Sequence, residues 1–529
     1  ATSALARRIR RSFQTMTTPT RSSVSPLGLV TLLAFASGLA ALGHQTVWFR
    51  LTVDVLGANA NTFARVAGAF FLGLAIGAWL ASRKQAPAGR HWLWVAAAEF
   101  GVALLALPVL MIGRDAEWLY GSPQLAALIK WLLPLVLIAP PALMMGLVLP
   151  WLLHALQSAG ELSPRRAVML YAINTLGGVA GIPLVLLVAL PSLGMTTTAL
   201  GLTAINGLIG LVMLLLARGE RSSPTKRPAQ ELSTESPQLD GRLAVMAFGS
   251  GLLVLALEVM GQLQLRQVSI NSLFSSGGVL AVVLLALGTA PLLIAPINRL
   301  VGDATALSLA CLAGAVACAL QPSLKMLAGG INILPYELTA GPYTLALLGV
   351  ALPAIFLPLL GAGLVFPLLV HRVTQQSGAA APRLIGRLLM WNGLGGWLGA
   401  ELANRALAPA FGLWGALSVL ATGYFLMFRV AGTDAGPRSP RVTRWNLATL
   451  SVVVLIAASY GAARHFPSTG LGRDTQLLAL EVGREGVVAV TESDQRGRRI
   501  VMNNTYTLGG SRAKLNQERQ AHLPLLLHG

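Results

Sequence analysis

The sequence predicts an all-α polytopic membrane protein: two parallel six-helix repeats, a thirteenth span, and a small C-terminal β-rich extramembrane domain. Three observations predict it. Of 529 residues, 54% are hydrophobic and 11% charged, and mean hydropathy is +0.67; water-soluble domains carry roughly 25% charged residues. Apolar runs of the length that crosses a bilayer, about 20 residues, recur along most of the chain. These runs also form two sets in which the same motifs return in the same order.

Residues 1–25 form a basic N-terminal tail. Arg7, Arg8, Arg10 and Arg11 precede a polar stretch and then a run long enough to span, which predicts a retained first helix rather than a cleaved leader. The first repeat covers 26–217, with apolar runs at about 26–47, 63–82, 92–112, 124–157, 167–190 and 196–217. A linker rich in Pro, Ser and charge occupies 218–241. The second repeat covers 242–430, with runs at about 243–264, 273–297, 304–321, 341–371, 384–408 and 410–429. Prolines inside 124–157 and 341–371 predict kinked single spans or re-entrant pairs. A thirteenth span is expected at 444–464 and the extramembrane domain at 473–529.

The repeat is visible residue by residue. Gly146-Leu-Val-Leu-Pro150 with His154 returns as Gly363-Leu-Val-Phe-Pro367 with His371. Asn174-Thr-Leu-Gly-Gly-Val-Ala-Gly181 returns as Asn392-Gly-Leu-Gly-Gly-Trp-Leu-Gly399, and Pro191-Ser-Leu-Gly194 as Pro409-Ala-Phe-Gly412. Six spans plus six in the same order make a parallel duplication, the plan of major-facilitator-type transporters.

Net charge is +19, from 39 Lys+Arg against 20 Asp+Glu. No basic stripe interleaved with aromatics accompanies it, so the excess reads as topology signals beside anionic lipid and no nucleic-acid partner is expected. With the N-terminus, even-numbered loops and linker on one side, that side holds 23 Lys+Arg, and the other holds seven: Arg50, Arg65, Arg114, Lys130, Arg266, Lys325 and Arg405. The positive-inside bias makes the first side cytoplasmic, in a bacterial inner membrane, and a thirteenth span then puts the tail in the periplasm. Cys311 and Cys318, on one face of an apolar run, read as packing residues. No His/Cys/Asp cluster has metal-ligand spacing, and neither a phosphate-binding loop nor a nucleophile elbow is present.

Charged and strongly polar residues inside spans are candidate functional positions because each is costly in lipid. Glu258 lies eight residues after Ser250, and Gln45, beside His44, lies eight after Ser37. Glu258 reads either as a proton or cation relay or as a hydrogen bond to the other repeat. Glu401 and Arg405, four apart, are expected to pair. Glu99 has no partner in its own helix and is expected to face a cavity or Arg65. Asn174 and Asn392 read either as cross-helix bonds between closely packed helices or as part of a midplane substrate site. His154 and His371 read as packing or capping residues.

In the tail, Leu477–Val482, Val487–Thr491 and Arg499–Asn503 read as strands. Ala513–His528 reads as a helix with Leu515, His522, Leu523 and Leu526 along one side.

Two regions carry a family resemblance. Ser37-Gly38, Trp48-Phe49-Arg50-Leu51, Phe71-Leu72-Gly73-Leu74-Ala75-Ile76-Gly77, the Gly146–Pro150 motif and Tyr171–Gly177 resemble the membrane half of fused transporter-like/spermidine synthase-like bacterial proteins. Glu485–Glu492 and Gln520–His528 resemble the small N-terminal β-domain of spermidine synthases. The resemblance implies aminopropyl or alkyl transfer with decarboxylated S-adenosylmethionine, in a Rossmann-like domain expected beyond Gly529. No catalytic or cofactor-binding residue is carried over. Thr507 stands where the family has a polyamine-side Gln, and Asn516-Gln517-Glu518 stands for its Tyr-His-Glu. The non-enzymatic alternative is a transporter of polyamine or another small cation, or an accessory or scaffold subunit docked to other membrane subunits.

Overall fold

Helix-forming apolar sequence, broken by Gly and Pro at matching places, sets the element order. The computed structural model describes residues 26–57, 60–84, 87, 90–111, 123–220, 238–269, 273–327, 340–432, 449–458, 474–484, 486–504 and 506–528. The N-terminal tail, most of the linker and much of the expected thirteenth span lie outside these residues. The first set of helices is α1 (Pro26–Leu56), α2 (Ala60–Arg83), α3 (His91–Ala106), α4 (Pro123–Ser158), α5 (Pro164–Pro183) and α6 (Leu190–Glu220). The second is α7 (Gly241–Leu265), α8 (Leu273–Thr289), α9 (Ile294–Val301), α10 (Asp303–Leu327), α11 (Ala340–Ala351), α12 (Leu357–Ser377), α13 (Ala381–Leu402) and α14 (Ala408–Ala431). A short apolar helix, α15, covers 449–458.

Eight helical stretches among the described residues are long and apolar enough to cross a membrane. Two of them, Pro164–Arg218 and Pro358–Ala431, run on through kinks and contain more than one of these helices. The chain is a mostly helical, multi-pass membrane protein. The run at 124–157 is one helix despite Pro134, Pro140, Pro141 and Pro150 within it, so its prolines do not divide it into a re-entrant pair. The run at 341–371 is carried by α11 and α12, joined through a π-helical turn at Leu352–Phe356. Such turns absorb the carbonyls that a proline leaves without a donor.

The repeated motifs have repeated structural roles. π-helical segments follow α5 at Leu184–Ala189 and α13 at Ala403–Leu407. Each is followed, near the start of α6 and of α14, by a glycine with positive φ, Gly194 (74°) and Gly412 (68°), at which the helix kinks. An L side chain is strained in that conformation, which explains the two Pro-x-x-Gly motifs.

The Gly-rich motifs bring helices into backbone contact. A Cβ on Gly38 would lie 1.8 Å from the Asn174 carbonyl oxygen, and one on Gly251 would lie 1.9 Å from that of Asn392. Gly177 and Gly395 are equally tight against the carbonyls of Phe35 and Phe248. The pairs α1–α5 and α7–α13 therefore pack through small residues in the same way. Between the two sets, α2 runs along α13 and α5 along α8.

The tail is a four-stranded antiparallel sheet in the order β1 (Thr475–Val482), β2 (Val487–Ser493), β3 (Gly497–Met502), β4 (Tyr506–Gly510). Helix α16 (Lys514–His528) follows. The three expected strands are present. The fourth falls on Tyr506–Gly510, where a short polar and Gly-rich segment offers no alternating pattern. Leu515, Leu523 and Leu526 are exposed rather than packed along a covered side of α16, and His522 is exposed beside them.

The sheet is docked on the helical part. Asn503 and Asn504, both with positive φ, turn β3 into β4. Asn503 Oδ1 accepts from the Val487 backbone N–H (2.9 Å) and from Gln267 Nε2 (3.2 Å). Asn504 Nδ2 donates to the Gln267 carbonyl at 3.0 Å. Gln267, just past the end of α7, is buried, and Val482 packs against the main apolar core.

Candidate functional site

Eight helices, α1, α2, α4, α5, α7, α8, α12 and α13, line a cavity of about 200 Å³ between the two sets. Its wall is mostly apolar and aromatic, with Phe70, Phe71, Tyr171 and Phe366 among the lining residues. Tyr171 and Phe366 stand against one another across the sets, with ring centroids 5.4 Å apart.

Glu258 of α7 and Gln45 of α1 both line this cavity, each 3% exposed. Of the lining polar atoms, Glu258 Oε1 and Gln45 Oε1 are buried without a hydrogen-bond partner. The hydrogen bond from Glu258 to the other repeat that the sequence left open is thus not among the described contacts. Among the described residues no Lys, Arg or His lines the cavity, and Glu258 is the one carboxylate of its wall. A second, much smaller space of about 20 Å³ also touches Gln45, beside Phe49, Phe63 and Ser276.

Asn174 and Asn392 combine the two roles read for them. Asn174 Nδ2 donates to the Ala34 carbonyl at 3.0 Å, and Asn392 Nδ2 to that of Ala247 at 3.2 Å. Both residues also line the cavity.

Glu99 corrects the expectation that it faces a cavity or Arg65. It is wholly buried in α3 and held by two donors: Ser37 Oγ at 2.7 Å and Asn206 Nδ2 at 2.7 Å. Asn206 Oδ1 in turn faces His44 Nε2 at 3.2 Å, and the His44 ring stacks on Trp48. His44 therefore belongs to a polar chain linking α1, α3 and α6, while its neighbour Gln45 faces the cavity. The sequence reading missed Asn206. Its signal was present: it is the one amide within the 196–217 run.

Glu401 and Arg405 pair as expected, with Nε 2.8 Å from Oε2, and stand apart from the cavity lining. His154 is buried and His371 bonds Gln375 at 2.9 Å. Cys311 and Cys318 are buried in the core. No group of His, Cys, Asp and Glu suited to a metal ion occurs among the described residues.

The two sets touch at both ends. Gln157 Nε2 donates to the Gly378 carbonyl at 3.1 Å, joining the α4–α5 and α12–α13 turns. At the opposite end Asn404 Nδ2 donates to Asn61 Oδ1 at 3.3 Å.

No protein-family model matches this chain, and no curated protein matches its sequence. Similar solved structures include the nucleoside transporter NupG (15% identity, 82% of this chain and 98% of that one, TM-score 0.45). The human organic anion transporter MFSD10 is similar at 15% identity over 77% of this chain and 100% of that one, with a TM-score of 0.49. The E. coli fucose:proton symporter FucP is similar at 12% identity over 79% and 100%, with a TM-score of 0.47. At these identities and scores the likenesses assign no substrate. The spermidine-synthase-like reading gains no support from any of the comparisons.

Proposed function

We propose that the protein is a major-facilitator-like membrane transporter that carries a small organic solute through the cavity between its two helix sets. The observation that supports this reading is the cavity between the two sets, with Glu258 and Gln45 at matching positions and their Oε1 atoms unpartnered. An apolar space with a few convergent polar groups is the common form of a small-molecule site. In this reading the helices form six spans plus six, with a thirteenth near 449–458. The N-terminus and even-numbered loops are cytoplasmic, and the sheet domain is periplasmic. The bonds Gln157–Gly378 and Asn61–Asn404 are then the contacts that separate in turn as the sets rock.

Uptake by proteoliposomes tests the function, using a panel of labelled small amines, amino acids, sugars and nucleosides. We expect saturable uptake of at least one solute, reduced about tenfold or more by Glu258→Gln because an intramembrane carboxylate is retained at a cost. Uptake of every solute at the level of protein-free vesicles would overturn the reading. A Ser493→Cys variant tests the orientation: an impermeant maleimide applied to spheroplasts labels it if the sheet is periplasmic, and protection refutes that placement.

A further inference from the structure

The proposal builds on the reading of the central cavity as a solute site, and concerns which solute it selects. Both unpartnered, fully buried polar atoms of the wall, Gln45 Oε1 and Glu258 Oε1, are acceptors. Asn174 and Asn392 already commit their Nδ2 groups to backbone carbonyls of neighbouring helices, and the Thr175 hydroxyl is committed to the Tyr171 carbonyl at 2.9 Å. The Gln45 amide and the Ser250 and Tyr171 hydroxyls add neutral hydrogen-bonding groups, so among the described lining residues the wall's charge is one carboxylate with no basic side chain. An anion finds no counter-charge there.

A buried carboxylate without a counter-charge is costly. A solute that brings one positive charge and N–H donors removes that cost. The rest of the wall suits the body of such a molecule, since aromatic rings attract an ammonium group at their faces and pack against apolar carbon. Charge balance sets the count. One carboxylate neutralises one ammonium, so a diammonium would leave its second charge without a counter-charge among the described lining residues. We propose that the cavity binds a small organic monoammonium cation, its N–H groups shared between Glu258 and Gln45 and its apolar body among Phe70, Phe71, Tyr171 and Phe366.

The test is equilibrium binding to the full chain in nanodiscs, read by calorimetry, with benzylammonium, benzyl alcohol and 1,4-diaminobutane as probes. We expect benzylammonium to bind at least about tenfold more tightly than either of the others, a difference of about 1.4 kcal/mol. Glu258→Gln is expected to abolish that preference. Gln45→Glu, which adds a second carboxylate to the same wall, is expected to raise affinity for 1,4-diaminobutane about tenfold; this gain guards against a variant that merely misfolds.

Equal binding of benzyl alcohol and benzylammonium would overturn the proposal, because Glu258 would then be a neutral acid and the cavity would select by shape. Absence of saturable benzylammonium binding by the folded wild type would overturn it too. Binding with the expected preference but no uptake of benzylammonium or of any panel solute leaves the site standing and refutes transport. Saturable uptake confined to neutral or anionic solutes keeps transport and refutes this selectivity.

Discussion

Glu99 and Glu258 are both carboxylates buried in the helical part, and their surroundings divide their roles. Glu99 receives hydrogen bonds from Ser37 and Asn206, and the chain continues to His44. Glu258 Oε1 receives none and faces a cavity. Removing a partner from a buried polar group leaves its desolvation uncompensated, which costs more than the bond itself contributes. We therefore expect Asn206→Leu to destabilise the protein by about 2–3 kcal/mol, read as a lowered midpoint in denaturant titration. Glu258→Gln is expected to leave that midpoint unchanged or raise it. A destabilisation by Glu258→Gln matching that of Asn206→Leu would show that the two sites are alike. The separation was illegible in the sequence because Asn206 and Glu99 are over a hundred residues apart and meet only when α3 packs on α6.

At the scale of elements, the glycine motifs are helix-packing devices whose tolerance varies sharply with position. An added methyl at Gly38 or Gly251 meets a backbone carbonyl that cannot move without separating two helices. At Gly207 an added methyl meets nothing within 4 Å. Gly38→Ala is expected to cost about 3 kcal/mol or more, the upper range for overpacking, and to shift the detergent-solubilised protein toward aggregate on size exclusion. Gly207→Ala is expected to elute as the wild type does, slightly stabilised by its better helix propensity. Equal behaviour of the two variants would contradict the close α1–α5 approach. Here the sequence was largely sufficient. The return of Asn-x-Leu-Gly-Gly in both halves pointed to the same contact twice, and the structure shows Asn174 and Asn392 making it.

At the scale of the whole molecule, the sheet domain is fastened to the end of α7, the helix that carries Glu258. Asn503 is the fastening residue, since one side-chain oxygen serves both the Val487 N–H and Gln267 Nε2. Asn503→Ala removes both bonds and the side chain that eases its positive φ. We expect it to cost about 1–3 kcal/mol in the local docking equilibrium. Limited proteolysis within 474–528 is expected to accelerate several-fold, while the helical part stays protected. Unchanged cleavage would show that the Asn504 bond to the Gln267 carbonyl and the apolar contact of Val482 hold the sheet without Asn503.

The sequence by itself determined the class of protein, the spacing of its apolar runs, the internal repetition and three of four strands. These are local properties, set by hydropathy, by Gly and Pro chemistry and by strand alternation, so they can be read without knowing what lies across the fold. It also placed Glu401 against Arg405, a pair one helical turn apart. Tertiary structure alone decided that Gln45 and Glu258 share one cavity, that Glu99 is satisfied from two other helices, and that Asn503 reaches Gln267. Each of these joins residues distant in the chain, and whether a buried polar atom finds a partner depends on which helices pack together.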